Sequence, residues 1–284
     1  AIPDTSFGGI SERGFMVEVK SGYLVFDRSF IRVIAGGFPS VWGAARENSL
    51  VLNQQGPNAD KLEAHFEWNE LYYKFFVGAF SDVKTPAGQI IKRYYHTHRL
   101  VKNFSRVSLG LTEHIIYGGN SVPPNFAYLN PFIPFYASIQ NRGDINAANY
   151  LLSLDASLLA GNGHRFYLEF LLDDFQFDKE SWDKAPNSLG WIVGWQGAFP
   201  KMQMNFEYAL LSTWIYNNRN PYVRYEFRPN RVMPGNPIGS DSEYYKLLFS
   251  SYHIRKMIID TEFNWIRRGQ FNRSFVYKGD EYPG

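Results

Sequence analysis

The feature that most constrains the fold of this chain is an alternation of apolar and polar residues with a period of two, which recurs from one end to the other. The segment 62–69 reads LEAHFEWN, so its even-numbered positions are apolar and its odd-numbered positions are polar. Segments 71–80, 165–173 and 202–210 also keep one consistently apolar face. Because successive side chains of a strand point to opposite faces, this pattern predicts strands whose two faces meet different surroundings.

About twelve strands are expected along the chain. Besides the four clearest segments, we assign strands to 14–20, 23–35, 90–101, 105–114, 151–159, 189–197, 245–252 and 258–265. Several of these runs reach about ten residues, a length that suits a tilted crossing of a bilayer.

Composition helps to choose between two all-β folds that share this alternation. A soluble β-sandwich also alternates, but aromatic residues make up 18% of this chain while its mean hydropathy is −0.31. A membrane barrel can turn aromatic rings toward lipid, and charges on the second face fit its polar interior. We therefore predict an all-β transmembrane antiparallel β-barrel, a single domain over residues 1–284, in contact with bacterial outer-membrane lipid.

Several other classes are disfavoured by the sequence. The net charge of +2 gives no reason to expect a nucleic-acid partner. Cysteine is absent, which excludes disulfides and thiolate chemistry. The chain contains no run of about 18 apolar residues, so no transmembrane helix is predicted. The opening AIPDTSFGG lacks a basic stretch followed by an apolar one, so we expect an export signal to have been removed already.

Three long connections, at about 36–61, 118–147 and 216–242, are expected to hold the function. The third is rich in Arg, Asn, Pro and Gly, a composition that predicts an exposed loop without a packed core. Segment 128–139, YLNPFIPFYASI, is too apolar to extend into water, so we expect a plug inside the barrel or a contact with a partner. Residues 175–185 predict one short helix, with Asp178 as its cap.

Five segments occur in an order that is similar to one known family. They read VWGAARENSLVLNQQGPNADKLEA, LGLTEHIIYGG, YLNPFIPFYASIQ, LLSLDASLLAGNGHRFYLEFLLDDFQ and RPNRVMPGNPIGSDSEYYKLLFSSY. Together they cover most of residues 30–268, and in this order they resemble the capsule assembly protein Wzi family. The resemblance implies an outer-membrane barrel that binds exported capsular polysaccharide at the cell surface and helps to organise it.

Two features differ from that family. The chain has Trp42-Gly43-Ala44-Ala45 where a Trp-Gly-Pro-Gly type of turn is usual, and the family barrel has about eighteen strands. The last residues, SFVYKGDEYPG, do not form the aromatic-terminated strand with which such barrels normally finish. We therefore expect an incomplete or divergent member of the family that lacks terminal strands.

The sequence predicts no catalytic residue, metal or cofactor. His96 and His98 share one face of a strand. Neither this pair nor His114 occurs in a metal-binding spacing such as the helical H-E-x-x-H. We therefore expect the three histidines to form hydrogen bonds in the lumen or at its rim. A barrel phospholipase would need Ser, His and an acid or amide together on the lipid-facing wall, and no motif supports one. The adjacent acids Asp173 and Asp174 point to opposite faces of a strand and cannot flank one glycosidic bond.

Sugar recognition needs aromatic faces and bidentate polar groups, and the long connections supply both. The candidate polysaccharide-binding residues are Trp42, Arg46 and Asn48 in the first, Asn125, Tyr128 and Asn130 in the second, and Tyr222, Arg224, Tyr225, Arg228 and Arg231 in the third. Two other functions stay open: a porin-like diffusion channel, favoured by the charged inner face, and an architectural subunit of a complex with other envelope proteins, favoured by the apolar segment 128–139.

Overall fold

The computed structural model of the protein describes the chain in separate ranges. These are residues 10–11, 14–15, 21–45, 48–53, 59–85, 87–120, 123–142, 148–174, 187–218, 220, 222–225, 233–252 and 257–269. The segment 175–185, where a short helix is predicted, lies outside them.

The described residues form fourteen strands and one helix. The strands are β1 Ile10–Ser11, β2 Gly14–Phe15, β3 Gly22–Arg28, β4 Ile31–Phe38, β5 Ala59–Trp68, β6 Leu71–Lys84, β7 Ile90–Asn103, β8 Val107–Asn120, β9 Ala148–Ala160, β10 His164–Asp174, β11 Ser188–Phe199, β12 Met202–Leu211, β13 Ser242–Ser251 and β14 Ile259–Arg268. The helix α1, Phe135–Arg142, lies between β8 and β9. Among the described residues, no helix is long and apolar enough to cross a membrane.

Strands β3 to β14 form one twelve-stranded sheet in which every strand pairs antiparallel with its neighbours in sequence. This up-and-down order places the connections alternately at two ends. One end has short turns, such as Asn69–Glu70 between β5 and β6. The other end has the three longest connections: the first connection, residues 39–58, the second, 121–147, and the third, 212–241. In outer-membrane barrels short turns face the periplasm and long loops face the exterior.

The predicted antiparallel all-β fold is confirmed, with two differences in strand assignment. The predicted strand at 23–35 is two strands, β3 and β4, joined by a turn at Ser29 and Phe30 in which Ser29 has a φ of 32°. Of the segment 14–20, only Gly14–Phe15 is described, in a small sheet with β1. These two differences offset each other, so the main sheet still contains twelve strands.

The two faces of the sheet differ as the alternation predicts. On β9 the residues Leu154 and Leu158 are exposed, whereas Ser153 and Asp155 are buried. The cross-strand register continues each set onto neighbouring strands: Leu154 pairs with Phe170, and Asp155 pairs with Glu169. We call the side of Leu154 the outer face and the side of Asp155 the inner face. The outer face thus carries a broad apolar wall, as lipid contact requires.

The described residues of the first and third connections pack against the inner face. Leu50, Val51 and Tyr225, from these two connections, are at most 1% exposed and belong to one core cluster with inner-face residues such as Phe76 and Ile192. The prediction that the third connection is an exposed loop is therefore wrong for its described residues. Polar groups such as the Tyr216 hydroxyl and the Asn236 amide are hydrogen-bonded within the interior, which offsets the cost of burying them.

The second connection packs on the opposite side of the sheet. Tyr128, Phe135 and Ile139 form a cluster with Ile115 and other residues of the outer face. The apolar segment 128–139 therefore does not plug the interior. The register explains this placement, because Ile115 is aligned with His96 and Tyr150 on the face that also carries Leu111 and Leu154.

Candidate functional site

A carboxylate on the barrel wall holds the first connection inside the sheet. Glu169 of β10 accepts hydrogen bonds from the backbone N–H groups of Ala45 (2.6 Å) and Leu50 (2.8 Å) and from the hydroxyl of Ser49 (3.1 Å). Its side chain is 1% exposed. A buried carboxylate that accepts several backbone N–H groups fixes both the position and the conformation of the loop that supplies them.

A second carboxylate, Glu207 of β12, lies beside the same loop. It accepts hydrogen bonds from Asn48 Nδ2 (2.6 Å), from the Tyr167 hydroxyl (2.6 Å) and from the Tyr244 hydroxyl. Tyr167 lies directly against Gly194, where a Cβ atom would come within 2.0 Å of the Tyr167 ring. The glycine on β11 therefore provides the space in which Tyr167 reaches Glu207.

The third connection is held both to the wall and to the first connection. Arg93 of β7, which is 1% exposed, donates to the carbonyl oxygens of Tyr222 (2.6 Å) and Arg224. The Tyr216 hydroxyl donates to the carbonyl oxygen of Leu50 (2.6 Å), and Asn236 Nδ2 donates to that of Asn48 (2.7 Å). The two connections are thus joined into one body, which we call the plug.

A buried ion pair strengthens the wall below the plug. Arg99 of β7 contacts both carboxylate oxygens of Asp155 on β9, at 2.6 and 3.0 Å, and also donates to the Thr112 hydroxyl on β8, at 2.7 Å. The pair spans three neighbouring strands on the inner face. Such a pair is stable only with its remaining hydrogen-bonding capacity satisfied, and Thr112 contributes to that.

A cavity of about 560 Å³ with a mixed polar and apolar lining lies on the inner face at the short-turn end. Its lining includes Arg165, Gln196, Gln203, Asn205, Leu248 and Ser250. Arg165 connects it to the plug, because Nη2 donates to the Ala44 carbonyl (2.8 Å) while Nη1 donates to Gln196 Oε1 (3.1 Å). Oδ1 of Asn205 is buried and has no hydrogen-bond partner within the described structure. The volume falls within the range of ligand pockets, about 300–1,000 Å³.

The predicted polysaccharide-binding residues do not lie together. Trp42, Tyr128, Arg224 and Tyr225 are buried, Asn48, Asn125, Asn130 and Tyr222 are partly exposed, and Arg46, Arg228 and Arg231 lie outside the described residues. The described members from the first and third connections are parts of the plug, whereas those from the second lie on the outer face. Four of the aromatic and guanidinium side chains predicted to contact sugar are therefore packed within the protein.

The buried candidates have identifiable structural contacts. Trp42 packs edge-on against Phe76, with ring centroids 5.2 Å apart. The hydroxyl of Tyr225 donates to the carbonyl oxygen of Val51, inside the plug. On the outer side, the Oδ1 atoms of Asn125 and Asn130 accept from the backbone N–H groups two residues onward, each at 3.0 Å. These asparagines form Asx turns that shape the second connection.

Sequence reasoning missed the residues that hold the plug. Glu169, Glu207 and Arg93 all occupy inner-face positions of alternating strands, so the alternation does assign them a side. Glu169 and Arg93 bind backbone groups, and Glu207 binds the side-chain amide of Asn48, in loops more than 100 residues away along the chain. No periodicity in the sequence relates these partners. Glu169 and Glu207 each lie between apolar or aromatic neighbours in the sequence. This pattern could indicate a buried anchor only once the loop was known to enter the interior.

The three histidines do not converge on one site. His114 lies on the inner face, where Nδ1 contacts the Thr97 hydroxyl. His96 and His98 do share a face, but it is the outer one, so the expectation that they bond in the lumen or at its rim is wrong. Within the described parts of the chain, no group of three or more His, Cys, Asp or Glu side chains is placed to hold a metal ion.

An up-and-down antiparallel sheet with an apolar outer wall and a hydrogen-bonded polar interior defines a transmembrane β-barrel protein of the outer-membrane type. The family model of the capsule assembly protein Wzi matches residues 23–282. This chain belongs to the Wzi capsule assembly family, which confirms the family resemblance read from the sequence.

One solved structure supports the fold. The chain is similar to Wzi of Escherichia coli, an outer-membrane protein of group 1 capsule assembly and a carbohydrate-binding β-barrel, with 13% identity and a TM-score of 0.62. The match covers 93% of this chain and 60% of that one, so the chain spans about 60% of the length of its relative. OccD3 (OpdP) of Pseudomonas aeruginosa matches with 11% identity and a TM-score of 0.43, over 91% of this chain and 69% of that one. No curated protein matches the sequence.

Proposed function

We propose that this chain is a non-enzymatic outer-membrane β-barrel protein that binds or organises capsular polysaccharide at the cell surface. The observation that carries this proposal is the family match over residues 23–282. The related Escherichia coli Wzi is a carbohydrate-binding barrel, which gives the class of ligand. We take residues 1–284 to be one domain of this barrel.

The packed interior supports binding rather than conduction. The plug fills the inner face at the long-connection end and is held by Glu169, Glu207 and Arg93. A diffusion channel needs a continuous aqueous path, whereas buried side chains of the plug occupy this part of the interior. The charged inner residues that favoured a channel serve in large part to hold the plug.

Two regions can contact a saccharide. At the long-connection end, Asn48 and Tyr222 are partly exposed, and Arg46, Arg228 and Arg231 belong to the same two connections. At the opposite end, the cavity offers amides on Gln203 and Asn205 and the hydroxyl of Ser250. Amides both donate and accept hydrogen bonds, which suits sugar hydroxyls, and an Arg-rich surface suits anionic sugars. We propose the long-connection end as the main site.

Retention on immobilised capsular polysaccharide at low salt tests the proposal. We expect the wild-type protein to be retained, and the variant R228A/R231A to elute earlier, while R106A at an exposed short turn elutes with wild type. Earlier elution of the variant Q203A/N205A, with wild-type elution of R228A/R231A, would instead assign the binding to the cavity. Absence of retention on capsular and lipopolysaccharide glycans would remove the binding proposal.

Planar-bilayer recording separates this function from its alternatives. We expect the wild-type protein to conduct little, because the plug closes the interior, and steady ion steps would instead support a porin-like channel. An architectural role in a larger envelope complex predicts that the protein requires partner proteins, so a stable monomer in detergent that still binds glycan counts against it.

A further inference from the structure

The second connection carries a segment whose surface is unlike that of an aqueous loop. Residues 123–142, which we call the wall segment, expose Phe126 (84%), Phe132 (86%), Tyr136 (57%) and Ile133 (42%). No Asp, Glu, Lys, Arg or His occurs between His114 and Arg142. The first and third connections, which start at the same end of the sheet, both contain charged residues.

The wall segment is fixed against the outer face by specific contacts. His96 Nδ1 donates to the carbonyl oxygen of Tyr128 (2.9 Å), and the Tyr73 hydroxyl donates to the carbonyl oxygen of Pro131. Phe135 is fully buried and stacks on the His98 ring, with centroids 4.0 Å apart. The segment therefore turns back from the long-connection end and lies along the outside of β6 to β9.

The wall segment covers a group of polar side chains on the outer face. An apolar wall that faces lipid cannot leave such side chains uncovered. Glu113 accepts hydrogen bonds from the Tyr150 hydroxyl (2.8 Å) and from the backbone N–H of Phe135 (3.2 Å). Glu113, His96 and His98 occupy outer-face positions of β7 and β8, on the same face as the exposed Leu100 and Leu111. A charged group facing hydrocarbon is costly, so a cover at this position has a physical purpose.

From these observations we infer that the wall segment is embedded in the outer leaflet of the membrane, where Phe126, Phe132 and Tyr136 contact lipid acyl chains. Its outward side continues the apolar surface of the neighbouring wall, where Leu100, Leu111 and Leu154 are exposed. Aromatic residues are enriched where an outer-membrane barrel meets the lipid interface. The segment thus shields the Glu113 cluster from lipid on one side and binds lipid on the other. This inference is independent of the polysaccharide proposal.

Spin labelling tests it directly, because the chain has no cysteine and each single-cysteine variant carries one label. The variants are Phe132→Cys and Phe126→Cys in the wall segment, Leu154→Cys on the outer face and Ala87→Cys in the connection between β6 and β7, at the same end as the wall segment. Each is reconstituted in dioleoylphosphatidylcholine vesicles, and the collision rates of the label with oxygen and with a water-soluble nickel chelate are compared.

We expect the oxygen-to-nickel accessibility ratio at position 132 to match that at position 154 and to exceed that at position 87 several-fold. Position 126 provides the same readout if the first variant does not fold. A ratio equal to that at position 87 would place the segment in water and overturn the inference. Low accessibility to both reagents would also overturn it, because a second copy or another protein would then cover the segment.

Discussion

The carboxylate of Glu169 accepts a hydrogen bond from the backbone N–H of Leu50 at 2.8 Å, across a sequence separation of 119 residues. This contact joins strand β10 of the barrel wall to the first connection in the interior. The carbonyl oxygen of Leu50 in turn accepts a hydrogen bond from the hydroxyl of Tyr216 in the third connection. One residue of the plug therefore links the wall to both loops, and the plug is expected to respond to changes at Glu169.

Replacing Glu169 by glutamine keeps the side-chain volume but removes the charge and turns an amide N–H toward backbone N–H groups. We expect a loss of about 1.5–3 kcal/mol in the free energy of unfolding, the range for hydrogen bonds to charged groups. Urea unfolding in detergent measures the loss, and planar-bilayer recording should show higher conductance. The control Glu70→Gln, with its side chain 62% exposed, should change stability by less than about 1 kcal/mol. Equal effects of both variants would contradict the anchoring role.

Replacing Asp155 by asparagine leaves the Arg99 guanidinium buried without its carboxylate, since the two side chains are only 6% and 9% exposed. Breaking a buried ion pair on one side costs about 3–5 kcal/mol. The measurement is the midpoint temperature at which the folded band converts to the unfolded band on a semi-native gel. Asp82→Asn serves as the matched control, because its ion pair with Lys92 is exposed. A midpoint for Asp155→Asn no lower than that of the control would show that the pair does not support the wall.

Limited trypsin digestion tests the role of Arg93. Arg224 is 4% exposed and its carbonyl oxygen is bound by Arg93, so we expect wild-type protein to resist cleavage after Arg224. Arg93→Gln should release the third connection and raise the cleavage rate there at least tenfold, the effect of about 1.4 kcal/mol of lost local stability. Arg106→Gln, at an exposed turn, should keep the wild-type rate at Arg224. Mass spectrometry of the fragments identifies the site, and an unchanged pattern in Arg93→Gln would refute this anchor.

Two phenylalanines of the wall segment differ in burial, so their substitutions by alanine can be compared directly. Phe135 is fully buried against His98, so Phe135→Ala should lower stability in detergent by about 3–5 kcal/mol. Phe132 is 86% exposed, so Phe132→Ala should lower it by less than about 0.5 kcal/mol. Thermal unfolding followed by circular dichroism measures both. Similar losses for the two variants would mean that the segment is not held to the outer face as described.

Much of the fold could be predicted because alternation is a local property. Leu154 and Asp155 were assigned to opposite faces from their sequence positions alone, and the structure places them on the outer and inner face. The turn at Ser29 and Phe30 was missed because only the polar run Asp27-Arg28-Ser29 marks it, and no glycine, proline or asparagine occurs between residues 23 and 35.

The candidate site could be predicted much less well. Trp42 and Tyr225 were selected as aromatic residues in loops, and both are buried in the plug. His96 and His98 were assigned to the lumen because polar residues on a barrel strand usually face it. The wall segment reverses that rule locally, since its carbonyl oxygens and the ring of Phe135 supply partners on the outer face.

The sequence by itself determined the strands, their two faces and the family, since these follow from the spacing of neighbouring residues and from the order of recognisable segments. Only the tertiary structure decided that the first and third connections fill the interior while the second lies on the outer wall. Loop position depends on hydrogen bonds such as those of Glu169 with Leu50 and of His96 with Tyr128, which join parts of the chain that are distant in sequence. Such partners leave no periodic trace in the sequence.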